Sequence, residues 1–416
     1  MTEIRRYVGV KKEGTYGTKV APDFLAEANS ISVDPPDGPN LVRESSIART
    51  KRTVAPGMYV PGGAIELVAD PASLYYWLYL LMGTIAETDN TTPVAAEANL
   101  ITTGAGETSG SGTPENVPIV PGTLTIEPNA GADLVMDDGF GNLVDVATEA
   151  IDWGTVNYLT GLCTVTAELT AETVYDVNYS HGDYEQVVTL QNDIELDSFT
   201  LTTGKDQFQH TFTGCAMNTL TLSVEKEWVN VSMDFVASKD EEEAIMTKAA
   251  VVALIPQEYP LAFHHVTVQA VDYGGTLADI SSDVEKLTLT FTNNADAEGG
   301  VTLGSRFPRR VWAGGFDCNI EMGIVFNSAD EIEDFWGGAA GPSTTDIGTL
   351  KALSIILNSG HGLGDLTFDL PRCIIQKNAL QPSGRDRILQ EVSLEALEDD
   401  TAGYQCQVTS NVLYSW

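Results

Sequence analysis

The spacing of apolar residues predicts a strand and then a short helix over residues 54–84. The strand lies around Ile65. Asp70 before Pro71 is typical of a helix N-terminus, because an N-cap carboxylate accepts hydrogen bonds from free N–H groups and proline fits the first helical position. Gly83 lies where a glycine ends a helix. One helix face is apolar, at Leu74, Trp77, Leu78 and Leu81.

Residues 310–340 repeat that pattern. A strand around Ile320 is followed by Ser328 and Glu331, which are spaced as in a capping box. The apolar face of the second helix consists of Ile332, Phe335 and Trp336. Gly337 then ends this helix. Two strand–helix units so alike and so far apart predict a duplicated domain.

Other segments match in the same order in both halves of the chain. They alternate apolar and polar residues with period two, which is typical of half-buried strands. One match pairs Ile65-Glu66-Leu67 with Ile320-Glu321-Met322. Another pairs Val231-Ser232-Met233-Asp234 with Val392-Ser393-Leu394-Glu395. The chain is therefore predicted to be mainly β, with two tandem domains that each carry a short helix.

A segment between the two halves has a different character. Residues 86–116 are rich in Thr, Gly, Ala, Ser and Glu, which is typical of a linker. After it, short strands are predicted at 123–127, 133–136, 154–158, 162–166 and 174–179. Asp137 and Asp138 lack the spacing of a calcium loop, so residues 137–142 are interpreted as a hairpin turn.

These patterns predict four parts of the chain. A discontinuous first domain covers residues 1–116 and 182–240, and an inserted small all-β module covers 117–181. A connector covers 241–262, with an apolar stretch at 249–255 that favours a helix, and the second domain covers 263–416.

Basic residues are concentrated in one polar segment rich in Pro and Gly, residues 35–61. A solvated loop and a long hairpin that docks on an acidic neighbour both fit this composition. Clustering of basic residues in so acidic a protein favours the hairpin. The segment carries Arg43, Arg49, Lys51 and Arg52.

The helix over residues 71–82 is apolar almost all round. A helix without a polar face is covered on both sides. We expect its own sheet to cover one face and a neighbouring subunit to cover the other. The candidate interface residues are Tyr75, Tyr76, Trp77 and Tyr79.

Charge and composition exclude several classes of protein. Asp and Glu number 59 against 22 Lys and Arg, and the net charge of -37 repels nucleic acid and anionic membranes. The longest apolar run, Leu74–Met82, is too short to span a bilayer, and the first residues lack the apolar core of a signal peptide. We therefore expect synthesis in a cytoplasm. The five cysteines, without a CxxC pair, favour reduced and buried thiols.

No catalytic, cofactor-binding or metal-binding constellation is predicted. HExxH, GxSxG and phosphate-loop motifs are absent, which argues against an enzyme. Residues 360–364, GHGLG, lie between two predicted strands with no helix after them and are interpreted as a turn. His264 and His265 are adjacent on a predicted strand, where they would point to opposite faces and chelate a metal poorly.

Several of these stretches together resemble a known family. They include Glu13–Thr18 (EGTYGT), residues 60–67 after the basic segment, the helix that follows, residues 204–218, and the closing strands 392–398 and 405–411. In these stretches the chain resembles phage tail tube proteins of the long-tailed type, in particular the duplicated form of siphophages. The resemblance covers most of residues 1–116 and 182–416, whereas 118–181 departs from it.

The resemblance implies two tandem β-sandwich domains and a non-enzymatic virion protein, the major tail tube subunit. Three copies would close a pseudo-hexameric ring, and the basic loop and terminal arms would stack the rings. Tape measure protein and DNA would pass through the lumen without sequence-specific binding, and the tube would be assembled in the host cytoplasm. Tail terminator and baseplate or tip proteins would bind the ends. Acidic positions in residues 195–202, 231–235, 284–291 and 391–398 are expected to face the lumen.

Other functions fit parts of the pattern. A tail terminator, a capsid decoration protein or a surface adhesin would also be built from strands and carry acidic residues. A secreted adhesin explains neither the missing signal peptide nor the apolar helix.

Overall fold

A computed structural model describes most of the chain. The described residues are 6–22, 24–38, 40–44, 47, 50–89, 91–128, 134–138, 141–146, 153–158, 160–166, 169–170, 173–182, 184–254, 260–326, 330–338, 341–345, 347–358, 365–381 and 388–410. Arg49, Ser328 and the predicted turn 360–364 lie outside these residues.

The chain is mainly β, as its periodicity predicts. The strands are β1 Arg6–Lys12, β2 Phe24–Glu27, β3 Ser30–Ile31, β4 Asn40–Glu44, β5 Lys51–Pro56, β6 Gly62–Val68, β7 Gly83–Asp89, β8 Thr92–Thr102, β9 Gly110–Gly112, β10 Thr125–Pro128, β11 Val135–Asp137, β12 Asn142–Asp145, β13 Gly154–Val156, β14 Cys163–Val165, β15 Val174–His181, β16 Tyr184–Leu190, β17 Phe199–Lys205, β18 Phe208–Val224, β19 Asn230–Val236, β20 Lys239–Glu243, β21 Val266–Asp272, β22 Ala278–Asp279, β23 Val284–Thr292, β24 Asp317–Val325, β25 Leu350–Leu357, β26 Leu366–Gln381, β27 Leu389–Ala396 and β28 Gln407–Ser410.

The described helices are α1 Pro71–Met82, α2 Lys248–Leu254 and α3 Asp330–Trp336. Three of the predicted helix ends are confirmed, whereas Ser328, the predicted cap of the second helix, lies outside the described residues. Asp70 accepts a hydrogen bond from the Ser73 N–H (3.4 Å) at the start of α1, and Gly83 ends it with a φ of 94°. Gly337 ends α3 with a φ of 64°. Both φ values lie in the left-handed region that favours glycine.

The chain divides into two compact units. The first consists of Met1–Thr84, Thr189–Ile355 and Asp369–Gln407, and the second of Ile85–Val188, Ile356–Phe368 and Val408–Trp416. Both predicted strand–helix units lie in the first compact unit.

Two antiparallel sheets of the first unit share β18. The first half of β18 lies between β17 and β20, in a sheet with the order β2-β1-β17-β18-β20. The second half lies between β19 and β23, in a sheet that we call the long sheet, with the order β3-β6-β19-β18-β23-β24-β27-β26. Gly214, with a φ of 62°, lies between the two halves.

The core of the first unit is aromatic. Phe235 of the long sheet lies 5.7 Å from Phe199 of the other sheet and 5.8 Å from Trp77 of α1, measured between ring centroids. All three side chains are buried, and edge or tilted contacts between such rings stabilise a core beyond the area they bury.

The two matched segments pair with the same register in both halves of the long sheet. Ser232 of β19 lies opposite Glu66 of β6, and Ser393 of β27 lies opposite Glu321 of β24. Met233 faces Ile65 just as Leu394 faces Ile320. Identical registers mean that the sequence match is also a match of side-chain neighbours.

The second unit contains a sheet with the order β8-β15-β10-β11-β12-β13-β14-β9. The predicted strands at 123–127, 133–136, 154–158, 162–166 and 174–179 correspond to β10, β11, β13, β14 and β15. The linker predicted over 86–116 is wrong, because Thr92–Thr102 pairs with β15 and Gly110–Gly112 pairs with β14. Small residues here form strands because long-range partners supply the ladder that their composition does not favour.

The predicted strand at His264 is also wrong. Residues Phe263–His265 form a 3₁₀ turn, and β21 starts at Val266. The two imidazole rings therefore lie 4.1 Å apart, not on opposite faces of a strand.

Candidate assembly surfaces

The basic segment forms a hairpin, as the clustering of its charges favoured. Strands β4 and β5 pair only with each other among the described residues, with Val42 opposite Val54 and Arg43 opposite Thr53. Two strands without a third seldom hold together in water unless a further surface covers them.

The hairpin exposes apolar side chains on both of its faces. Leu41 is 66% exposed and Val54 67%, and Val42 and Ile47 are exposed as well. Neighbouring residues of a strand point to opposite faces, so Leu41 and Val42 lie on opposite faces of the hairpin. A partner that covers only one face cannot bury both side chains. Contiguous exposed apolar side chains of this kind mark interaction sites.

The structure brings together only part of the predicted basic cluster. The side chains of Arg43 and Lys51 are exposed on β4 and β5. Arg52 lies in β5, at the register shift between the Arg43 and Glu44 pairs. Arg49 lies outside the described residues. The hairpin therefore combines positive charge with exposed apolar area.

The base of the hairpin is held by a loop that the sequence did not single out. Arg306 donates its Nε–H to the Gly57 carbonyl (3.0 Å), and the Tyr59 N–H donates to the Arg306 carbonyl (2.8 Å). The Arg306 guanidinium lies 5.2 Å from the Tyr59 ring centre, within range of a cation–π interaction. No local pattern predicts this contact, because its partners are far apart in the chain.

The reasoning that placed α1 at a subunit boundary is wrong for three of its four residues. Tyr75, Tyr76 and Trp77 are buried within this chain, so no second subunit is needed to cover them. Tyr79 keeps partial exposure and accepts a hydrogen bond from the Lys12 ammonium (2.7 Å). A helix that is apolar all round has a cover on both sides, but periodicity does not tell which chain supplies it.

One face of the long sheet is polar and mainly acidic. Along its strands, core positions such as Leu287 and Leu289 alternate with outward positions such as Thr288 and Thr290. Lys286 and Lys377 lie on the outward face, where both ammonium groups approach Glu391 (3.2 and 3.8 Å). The carboxylates of this face are Glu66, Asp234, Asp317, Glu321, Glu391 and Glu395.

Two of the four strand segments expected to carry acids toward a lumen, 231–235 and 391–398, contribute carboxylates to this face. The segment 284–291 also lies in the long sheet, but it contributes Lys286, Thr288 and Thr290 to the face and no carboxylate. The segment 195–202 lies elsewhere. Its strand β17 belongs to the other sheet, is buried from Phe199 to Gly204, and Asp197 before it forms an ion pair with Lys12 (2.7 Å).

The segment Glu13–Thr18 is built around a buried carboxylate. Glu13 is 7% exposed and accepts four hydrogen bonds. Its Oε2 accepts from the Gly17 N–H (2.6 Å) and the Ser198 hydroxyl (2.8 Å), and its Oε1 from the Thr200 hydroxyl and the Gly214 N–H (2.9 Å each). A buried carboxylate is tolerated when its lone pairs are satisfied in this way. Glu13 therefore fixes the N-terminal arm to β17 and to the bend of β18.

All five cysteines are free and buried, as their spacing predicted. Burial raises the pKa of the Cys215 and Cys318 thiols well above the ordinary value, and that of Cys163 to about 12. Reactive thiolate is therefore scarce at neutral pH.

The described residues contain no group of three or more His, Cys, Asp or Glu that could hold a metal ion. Among the helices described, none is long and apolar enough to cross a membrane.

A comparison with protein families places these surfaces in context. The model of a family described as phage tail tube protein matches residues 4–396, nearly the whole chain. A search of curated proteins found no match.

Proposed function

Because the chain belongs to the phage tail tube protein family, we propose that it is the major tail tube subunit and that its copies close into rings. Stacked rings form the tube through which the genome is ejected. The chain acts as a structural, non-enzymatic virion protein, assembled in the host cytoplasm.

The repeated register in the long sheet is the observation that supports ring formation most strongly. Strands β3, β6, β19 and β18 follow one another in the same order as β23, β24, β27 and β26. The two sets are related by a shift along the sheet rather than by a two-fold axis. A shift is the head-to-tail relationship that closes into rings when repeated. Two tube domains in each chain then give six in a ring of three copies.

In this proposal the parts of the chain keep their predicted order, but the inserted module begins with β8 and not at residue 117, because Thr92–Thr102 pairs with β15. The first tube domain is interrupted by the inserted module, and a connector at 241–262 leads to the second domain. The module lies on the outside of the tube, since insertions are tolerated at exposed loop tips.

The acidic face of the long sheet lines the lumen. Six carboxylates against two lysines give it a negative charge. Each basic contact on the wall of a channel would add a site that retards DNA, because duplex DNA binds cations through counterion release. A carboxylate wall lets DNA and the tape measure protein slide. Tail terminator and tip proteins cap the ends of the tube.

The hairpin β4–β5 stacks ring on ring. Its exposed apolar side chains supply buried area, and Arg43, Lys51, Arg49 and Arg52 supply attraction to an acidic neighbour. Partly exposed charge pairs are screened by salt, so stacking should weaken as ionic strength rises.

Electron microscopy of the purified chain, combined with native mass spectrometry of isolated rings, tests the proposal. We expect tubes, and rings with the mass of three chains. Six whole chains per ring would contradict the trimer, and a protein that stays monomeric at high concentration would contradict the tube function.

A further inference from the structure

A row of three residues crosses the acidic face of the long sheet in its second half. Lys286 of β23 lies opposite Gly323 of β24, and Gly323 lies opposite Glu391 of β27. The Lys286 side chain passes over β24, and its ammonium lies 3.2 Å from Oε1 of Glu391. A second lysine, Lys377 of β26, approaches the other carboxylate oxygen, Oε2, at 3.8 Å. One carboxylate thus holds an ammonium group at each of its oxygens.

Gly323 makes this crossing possible. A Cβ atom at this position would lie 2.7 Å from Cγ of Lys286 and 2.9 Å from its Cε, closer than such atoms approach in contact. The stem of Lys286 therefore lies directly on the glycine, which is buried. Glycine inside a strand often marks a place where another group approaches the backbone closely. Here that group is a lysine stem from the neighbouring strand.

The first half of the long sheet has no such row, although its strands pair in the same register. Val68 takes the place of Gly323, and Asn230, which lies opposite Val68, takes the place of Glu391. The strands β3, β6, β19 and β18 of this half contain neither lysine nor arginine. The glycine and the acid are thus present only in the half that has lysines to hold.

We infer that Gly323 and Glu391 keep Lys286 and Lys377 folded against the sheet, so that the wall of the tube offers neither ammonium group to DNA. The inference rests on the proposed lumen and names the residues that neutralise its positive charges. Gly323 is a positioning residue, because it acts only through Lys286.

The surroundings of the two ammonium groups favour this role. Both lysines line a cavity of about 140 Å³, and Glu225 and Glu321 line it together with Glu391. Three carboxylates against two ammonium groups leave the cavity negative. A DNA phosphate that approaches either lysine therefore has to displace a carboxylate of the protein from it.

A small effect at one site becomes large in a tube. Each unpaired lysine on a channel wall adds a cation contact that releases counterions from DNA. The proposed ring holds three copies of the row, and DNA inside the tube faces every ring of the stack at once. Retardation would therefore add up over all rings, which makes the pairing of these lysines measurable.

Lysine labelling of the unassembled chain tests the pairing without a tube. Limited acetylation and mass spectrometry give the reaction rate of Lys286 relative to Lys248, an exposed lysine on α2. We expect Lys286 to react more slowly than Lys248 in the parent chain. Glu391→Gln and Gly323→Val should each raise the relative rate about two- to fivefold, as expected for the loss of an exposed ion pair. An unchanged rate in both variants would overturn the inference, and a rise in Glu391→Gln alone would overturn the role of Gly323.

Retention of short DNA by assembled tubes at low salt tests the consequence for the wall. Gly323→Val introduces the residue of the first half and changes no charge. Its tubes should nevertheless retain DNA that parent tubes release, because Lys286 is displaced from Glu391. The double variant Gly323→Val with Lys286→Gln should return to the level of the parent. Retention that persists in the double variant cannot come from the lysine and would overturn the inference.

Glu391→Gln has a matched comparison on the same face. Asp234→Asn removes the same charge from the half of the sheet that has no lysine, so it should retain clearly less DNA than Glu391→Gln. Equal retention would reflect the loss of negative charge alone and would contradict the masking of the lysines.

Failure of this inference can be told apart from failure of the proposed lumen. Glu66→Lys together with Glu395→Lys places two new lysines on the face. If these tubes retain DNA, whereas tubes of Gly323→Val and Glu391→Gln do not, the masking is overturned and the lumen stands. If the variant with two new lysines retains no DNA either, the lumen assignment is overturned and the masking with it.

Discussion

The Glu13 carboxylate accepts a hydrogen bond from the backbone N–H of Gly214, which lies 201 residues further along the chain. Gly214 has a φ of 62° and lies at the bend where β18 passes from one sheet to the other. One acid thus holds the N-terminal arm to the strand that both sheets share. The arm and the bend are expected to lose their arrangement together.

Replacing Glu13 with glutamine keeps the size of the side chain but turns one acceptor into a donor. At least one of the four donors then meets an N–H group instead of an oxygen. We expect Glu13→Gln to lower the free energy of unfolding by about 1.5–3 kcal/mol, the usual contribution of hydrogen bonds to a charged group. Urea denaturation of the unassembled chain measures the change. Glu241→Gln, at an exposed position of β20, is the control, and an equal loss in both variants would contradict the role of Glu13.

Trp77 is fully buried against Phe235. Trp77→Ala removes this large side chain and leaves a cavity, and should cost about 3–5 kcal/mol of unfolding free energy. Tyr79→Phe, at the partly exposed position of the same helix, removes only the hydroxyl that contacts Lys12 and should cost about 1 kcal/mol. Thermal and urea unfolding compare the two. A small effect of Trp77→Ala would mean that α1 is not part of the core of this chain.

The hairpin should be needed for stacking but not for ring closure. Val42→Asp together with Val54→Asp charges the cross-strand pair on one face, and Arg43→Glu together with Lys51→Glu reverses the basic side chains. Both variants should form rings that do not extend into tubes, because burying unpaired carboxylates is costly. Leu162→Asp, at an exposed apolar residue of the second unit, is the matched control and should form normal tubes. Tubes of normal length from both hairpin variants would contradict the proposed role of the hairpin in stacking.

Two deletions of different length test which residues belong to the inserted module. Thr92 and His181 lie opposite each other at the ends of β8 and β15, so a short Gly-Ser link can replace residues 92–181. We expect tubes that are thinner on the outside when viewed by electron microscopy. Replacing only 118–181 should give poorly soluble protein, because β8 and β9 then lose their partner strands β15 and β14. Loss of tubes in the longer deletion alone would show that the module takes part in assembly.

The acidic face of the long sheet should keep DNA from adhering to the tube. Parent tubes should bind no DNA even at low salt. A variant with Glu66→Lys, Asp234→Lys, Glu321→Lys and Glu395→Lys should retain short DNA inside the tube, with binding that falls steeply as salt rises. The control variant carries the same number of lysines at positions outside the long sheet, namely Glu241, Glu242, Glu298 and Asp400. Equal DNA retention in both variants would show that the face does not line the lumen.

Local chemistry determined much of this protein. Both ends of α1, the C-terminal end of α3, the strands β10, β11 and β13–β15, the hairpin β4–β5 and the buried thiols all follow from neighbouring residues and were predicted correctly. Capping groups, period-two alternation and turn residues act over a few positions, so sequence alone carries them. The repeat between residues 65–67 and 320–322 was visible for the same reason.

Only the tertiary structure decided which surfaces cover which. Tyr75 and Trp77 proved to be covered by their own chain, and Gly110–Gly112 joined a sheet although its composition is that of a linker. Two further features also depend on partners that are far away in sequence. They are the hydrogen bond of Arg306 to the base of the hairpin and the equal registers of Ser232 and Ser393. Periodicity predicts that a helix face is buried or that a strand is paired, but it does not identify the partner. The free energy of burial or pairing is gained only when segments distant in sequence come into contact.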